Sequence, residues 1–135
     1  MTRLRVALGI LFGMASVLAA VTLVALEGHE VALLRTVDER GNVRSTRVWV
    51  ADEDGYAWIE AANRNRPFLR DVHAIAEVGL RRGGTLRRCQ AVVVPNPEGH
   101  ERIRRLLAAK YGWADRWVGR LTDTSQSVAV RLQCR

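Results

Sequence analysis

Between Val6 and Leu26 the chain carries 21 consecutive residues without a charged side chain. As a helix rising ~1.5 Å per residue, such a run extends roughly 32 Å, the thickness of a bilayer's hydrocarbon core. Arg3 and Arg5 precede it and Glu27 closes it. A secretory signal also opens on basic residues, but its apolar region is normally shorter, and no convincing small-x-small cleavage pattern precedes Glu27. Residues 1–27 are therefore expected to form an uncleaved N-terminal membrane anchor and residues 28–135 a single domain, giving a single-pass protein of the cell membrane. The positive-inside comparison sets Arg3, Arg5 and the amino terminus against Arg35, Arg40 and Arg44, and leaves the side of the domain undetermined. Gly9 and Gly13 form a GxxxG pair within the span, a weak pointer to helix pairing and a homodimer.

Composition matters chiefly for the remainder. The chain has 135 residues, room for one core beyond the anchor and not two. Of its 21 basic side chains only Lys110 is not Arg, and removing Arg3 and Arg5 from the net charge of +7 leaves +5 with the signs interspersed. That excludes an acidic tail and disfavours wholesale disorder. A modest basic excess in an anchored chain argues for no nucleic-acid partner. The two cysteines, Cys89 and Cys134, belong to no CxxC pair, and whether they bond to each other is left open.

After the anchor, hydrophobicity comes in strand-length runs separated by turn signals. Residues 31–37 lead to a hairpin tip at Gly41-Asn42, 43–51 return as a second strand, and 56–62 follow the Asp52–Gly55 turn. Pro67 suits the first position of a short helix with Phe68, Leu69, Val72 and Ile75 at helical spacing. Two further strands, 77–81 and 85–94, form a second hairpin. Asn96 and Pro97 then cap and open a helix whose apolar stripe is Ile103, Leu106, Leu107 and Tyr111, ended by Gly112. A further helical turn at 115–121 precedes a closing strand over 126–133. Six short antiparallel strands with this helix content predict an α+β fold, a small barrel, rather than a doubly wound sheet, and no GxGxxG is present.

Chemistry is less evident. His29, His73 and His100 lie in different segments, no metal site is expected, and neither a GxSxG elbow nor a cysteine nucleophile motif occurs. No catalytic residue is assigned. The concentrated feature is cationic and hydroxylic: Arg44-Ser-Thr-Arg47 on one strand and Asn63-Arg-Asn-Arg66 in the loop after its neighbour. Guanidinium forks and a Thr hydroxyl suit a phosphate or carboxylate tail, although solvated surface arginine produces the same pattern. Strand alternation places Arg44, Thr46, Val48 and Val50 on one face and Val43, Ser45, Arg47 and Trp49 on the other. Trp49, Trp58, Trp113 and Trp117 read as core or rim aromatics.

The stretch from Val31 to Pro95, with LLRTVDERGNVRSTRVWVADEDGYAWIEAANRNRPFLRDV at its centre and a G-x-x-R-x-T pattern at Gly41, Arg44 and Thr46, resembles the split β-barrel flavin/deazaflavin-dependent nitroreductases and quinone reductases, relatives of the pyridoxamine-phosphate-oxidase-like barrels. The closing KYGWADRWVGRLTDTSQSVAVRL looks like the same group. The resemblance implies an antiparallel split β-barrel with two or three short helices after the N-terminal transmembrane helix. It also implies a bound 8-hydroxy-5-deazaflavin coenzyme, or alternatively FMN, whose phosphate tail meets Arg44, Thr46 and Arg47 with support from Arg64 or Arg66. The expected function is a membrane-tethered oxidoreductase passing hydride to a small-molecule acceptor, quinone-like or nitroaromatic. The alternative is a non-catalytic membrane-anchored barrel that binds an anionic small molecule or a protein partner.

Overall fold

The computed structural model describes every residue from Met1 to Arg135. A long helix, α1 (Thr2–Glu27), is followed by β1 (Ala32–Val37), β2 (Val43–Val48), β3 (Val50–Glu53), β4 (Tyr56–Ala61), α2 (Pro67–Ala74), β5 (Glu77–Arg82), β6 (Thr85–Val94), α3 (Glu98–Tyr111), α4 (Trp113–Leu121) and β7 (Val128–Cys134). The seven strands form one antiparallel sheet in the order β2-β1-β5-β6-β7-β4-β3. Its two edge strands are consecutive in the chain, with only Trp49 between them. A single bent run of chain thus supplies both edges, and the sheet curls into a split barrel.

That bend corrects the expectation of one strand over 43–51 and of six strands in all. Alternation holds along β2, where Arg44, Thr46 and Val48 turn inward, but Val50 and Ala51 are both buried. A strand that buries successive side chains has to turn a corner between two layers, which is what happens at Trp49.

All seven strands contribute to the barrel interior, including Leu34, Val48, Val50, Ile59, Leu80, Val130 and Leu132, and α2 plugs one mouth with Phe68, Leu69 and Val72. Each of these large side chains contributes roughly 1.5–3 kcal/mol through burial. A second, smaller core lies outside the barrel, where Ala51, Trp58 and Ala129 meet Ile103, Leu106, Leu107 and Tyr111 of α3. Asn96 acts as expected on the start of α3 by accepting the amide of His100, but Pro97 is the cap residue and the helix begins at Glu98. Close contact with β6 requires Gly99, where a Cβ would come within 2.4 Å of the Val94 carbonyl oxygen. Gly112, at φ 54°, turns the chain between α3 and α4.

Cys89 and Cys134 are directly opposed on β6 and β7 and form a disulfide. Their separation of 45 residues brings the last strand's end back to the middle of β6.

α1 is the one helix long and apolar enough to cross a membrane, with a mean hydropathy of 2.3 over its most apolar window. Its large apolar side chains from Leu4 to Leu18, with Leu23 and Val24, are exposed, and Val21 is half-buried. Only its last turns touch the rest of the chain: Ala25 is fully buried in the second core, and Trp117 of α4 donates from Nε1 to the Thr22 hydroxyl at 3.1 Å.

Candidate functional site

The bend at Trp49 concentrates the chemistry of β2 at its C-terminal end. Trp49 stacks on Tyr111, with ring centroids 4.3 Å apart and planes 7° from parallel. Tyr111 is itself pinned, since its hydroxyl donates to the Glu30 carbonyl at 2.7 Å and accepts the Val50 amide at 3.1 Å. Burial pushes the Tyr111 phenol above its ordinary pKa, so it remains a donor. Lys110 adds a bond from Nζ to the Val50 carbonyl at 2.6 Å. The KY of KYGWAD therefore braces the segment after α1 against the bent strand, and holds Trp49 in one orientation.

Beside Trp49 lies a cleft of about 210 Å³ lined by Thr46, Arg47, Val48, Glu60, Ala62, Arg66, Phe68 and Leu107. Three of the residues expected from the sequence, Thr46, Arg47 and Arg66, meet here. Glu60 is the cleft's only acid, and Arg104 holds it from outside the cleft, with Nη1 at 3.0 Å from Glu60 and Nη2 at 2.6 Å from Asp115, one guanidinium shared by two carboxylates. Burial alone would lower the pKa of Arg104, but its two carboxylate partners outweigh that and raise it, so the bridge stays charged. The cleft therefore presents two guanidiniums and one hydroxyl to a ligand, against a single carboxylate that is already hydrogen-bonded to Arg104.

Arg47 also pairs with Glu27 at the end of α1, and both side chains are exposed. An exposed pair of this kind contributes little and exchanges readily, so it leaves Arg47 free to turn to an anion. On its other side Arg47, with Val48 and Trp49, borders a second cleft of about 300 Å³, completed by Leu26, Glu27, Val31 and Val118. This cleft is apolar and opens at the end of the apolar helix.

The other two expected residues lie elsewhere. Arg44 donates from Nε to the buried carboxylate of Asp71 at 2.8 Å, and the fully buried Thr36 hydroxyl donates to the same oxygen at 2.7 Å. It lies in a cleft of about 460 Å³ with Asp38, Glu39, Arg40, Asn42, Arg70 and Asp71, where three acids balance three arginines. That balance makes a poor anion site. Arg64 lies in a third place, with Leu69, His73, Val94 and Asn96. The largest cleft, about 470 Å³ around Tyr56, Arg82, Thr85 and Cys134, contains none of them. There Arg82 is already held by Asp52 at 2.6 Å and Glu30 at 2.6 Å.

Sequence reasoning missed Asp71, Glu27, Glu60 and the Trp49 wall. Each acts through a partner distant in the chain, so spacing alone carried no signal for them.

Neither a protein-family profile nor any curated protein sequence matches the chain. Solved structures do. A conserved hypothetical protein from Mycobacterium tuberculosis superposes with a TM-score of 0.59 at 20% identity, covering 87% of this chain and 79% of that one. A candidate pyridoxamine 5′-phosphate oxidase from Listeria innocua superposes with a TM-score of 0.60 at 15% identity, over 84% and 90% of the two chains. An F420 reductase gives 0.56 at 19% identity, over 84% and 92%. These likenesses establish the fold: the chain is an α+β split β-barrel of the type shared by these proteins.

Proposed function

From a split-barrel fold shared with an F420 reductase and a candidate pyridoxamine 5′-phosphate oxidase, we propose that this chain is a membrane-tethered oxidoreductase holding a flavin-type cofactor, FMN or 8-hydroxy-5-deazaflavin, beside Trp49. The observation that carries this reading is the convergence of Thr46, Arg47 and Arg66 on one cleft, where two guanidiniums face a single acid, Glu60, that is already paired with Arg104. Arg47 and Arg66 hold the cofactor's phosphate by charge-assisted hydrogen bonds, and the Thr46 hydroxyl adds a third donor. Trp49, immobilised on Tyr111, supplies a flat wall, while Phe68 and Leu107 exclude water from it. When bound, the flavin-type group supplies the hydride. The protein's part is to bind, orient and keep the site dry, so no acid, base or nucleophile of its own is required.

At about 210 Å³ the polar cleft is smaller than the ~300–1,000 Å³ of ordinary ligand sites. The cofactor therefore extends beyond it, and the adjoining apolar cleft beside α1 receives a lipid-soluble acceptor such as a quinone. Completion of the site by a second copy of the chain belongs to the same proposal. The disulfide favours placing the barrel on the oxidising side of the membrane, with Arg3 and Arg5 on the other. In that compartment a cofactor retained by the protein is better supplied than one exchanging with a cytoplasmic pool, which favours FMN over the deazaflavin. Thiol labelling of intact cells with a membrane-impermeant maleimide checks the orientation: protein labelled only after external reduction supports it, and protein that stays unlabelled after external reduction but reacts once the cells are lysed and reduced refutes it.

Titration of the full chain in detergent with FMN and with the deazaflavin, followed by Trp fluorescence, tests the proposal. Saturable quenching in the micromolar range by either supports it, and no response to both at high micromolar concentration overturns it. One observation favours the non-catalytic alternative: Arg44 and Arg47 both have acidic partners within the chain. Binding of a flavin-type ligand without reduction of any quinone or nitroaromatic acceptor would establish that alternative.

A further inference from the structure

α4 is joined to the wrong part of α1 for a helix surrounded by water. Its Trp117 indole bonds to Thr22, five residues before Glu27, and five residues of helix measure about 7.5 Å. A membrane boundary drawn below Thr22 would leave only Val6–Val21 inside, 16 residues or about 24 Å, too short for a hydrocarbon core of ~30 Å. A boundary near Glu27 puts α4 at the depth of the headgroups and the first part of the acyl chains.

The surface of α4 suits that depth. Ala114 and Asp115 are buried against the barrel, and Trp117 faces α1. On the remaining surface Trp113 is 45% and Leu121 55% exposed, next to Arg116 and Arg120, one helical turn apart and both exposed. Neither arginine takes part in the salt bridges that engage the other arginines packed around α3. Tryptophan with arginine on one side of a helix, beside the end of an apolar span, matches the polarity gradient of a membrane interface.

We infer that α4 is an interfacial helix lying in the headgroup layer of the bilayer that α1 crosses, with Arg116 and Arg120 binding anionic lipid phosphates and Trp113 and Leu121 immersed below them. This rests on the membrane-anchor part of the proposed function. It goes beyond tethering: α1 alone would leave the barrel swinging, whereas α4 fixes its tilt. Because Val118 of α4 and Leu26 of α1 both line the apolar cleft, the same contact holds the mouth of that cleft at the lipid surface.

The test uses the full chain in phosphatidylcholine–phosphatidylglycerol vesicles whose lipids carry bromine either near the headgroup or near the chain ends. Tryptophan quenching should be stronger from the shallow position. Trp113→Phe should remove the largest single share of it, because Trp113 is the one exposed indole, whereas Trp49 and Trp117 are half-buried. Replacing Arg116 and Arg120 by Gln should reduce the shallow quenching in anionic vesicles and have little effect in phosphatidylcholine alone. Protein that resists carbonate extraction yet shows no shallow quenching refutes the interfacial helix and leaves the anchor intact. Shallow quenching unaffected by Trp113→Phe, or by the double Arg replacement in anionic vesicles, also refutes it. Protein released by carbonate refutes the anchor itself, and the inference with it.

Discussion

Arg44 and Arg47 are three residues apart on one strand, yet they belong to two regions with different physics. Arg44 points inward to Asp71, a carboxylate 5% exposed that also accepts the buried Thr36 hydroxyl. Removing Asp71 leaves the Thr36 hydroxyl stranded in the interior, so that carboxylate helps hold the barrel together. Arg47 points outward to Glu27, half exposed, at the border of two clefts. There the same kind of ion pair costs little to break and leaves a cation available to a ligand. What separates the two arginines is the burial of their partners.

The sharpest way to test that division is to loosen the barrel outside the two clefts that Arg47 borders. Reducing the Cys89–Cys134 disulfide, or replacing both residues by Ser, reopens a 45-residue loop in the unfolded chain and should cost about 4 kcal/mol of stability. Urea denaturation in detergent measures it, and cofactor affinity in the folded protein should remain within a few-fold. A loss of several orders of magnitude in binding while the fold persists would show that the two regions are not separable.

Next in size is Asp71→Ala, which strands the buried Thr36 hydroxyl and releases Arg44 to solvent, and should cost about 1–3 kcal/mol of stability. The midpoint of denaturation should fall with cofactor affinity unchanged. If Asp71→Ala, or Arg44→Ala, leaves stability intact and instead weakens FMN or deazaflavin binding, Arg44 belongs to the site and the comparison is reversed.

The cleft side predicts the opposite pattern. Arg47→Ala and Arg66→Ala should each weaken cofactor binding about tenfold, roughly 1.5 kcal/mol for a lost charged hydrogen bond, while the denaturation midpoint hardly moves. Isothermal titration alongside denaturation separates the two quantities. A stability loss without an affinity loss would assign Arg47 to the same structural class as Arg44.

The smallest effect concerns acid. The Arg82 hydrogen bond holds Asp52 below the ordinary carboxylate pKa, outweighing the opposing effect of burial. A lowered folded-state pKa stabilises the protein above the unfolded value, near 3.9, and that contribution is lost as pH falls through the folded value. Asp52 is mostly exposed, so after allowance for solvent screening Asp52→Asn should remove no more than about 0.5 kcal/mol, seen as a slightly shallower loss of stability below about pH 4. An unchanged acid limb would mean that Arg82 is held by Glu30 alone.

Much of this architecture was legible in the chain because its causes are local. A span of 21 uncharged residues, alternation over four to eight positions, Pro67 at a helix start and Gly112 at a helix end act through neighbours in sequence. The corner at Trp49 was not legible, since Val48, Val50 and Ala51 read as one strand until a second layer exists to bury them. The disulfide was equally silent, because the register of β6 against β7 brings Cys89 opposite Cys134. The residue types of the candidate site, arginine with threonine, could be read as anion-binding chemistry in advance. Which of them share a cleft could not. Arg44 meets its acid 27 residues away and Arg47 meets its own 20 residues away in the other direction, and sheet closure around Trp49 selects those partners. Local sequence determined which groups carry charge and where the chain turns, whereas the tertiary structure decided how deeply each partner is buried, and thereby which arginine is tied to the interior and which stays at the surface.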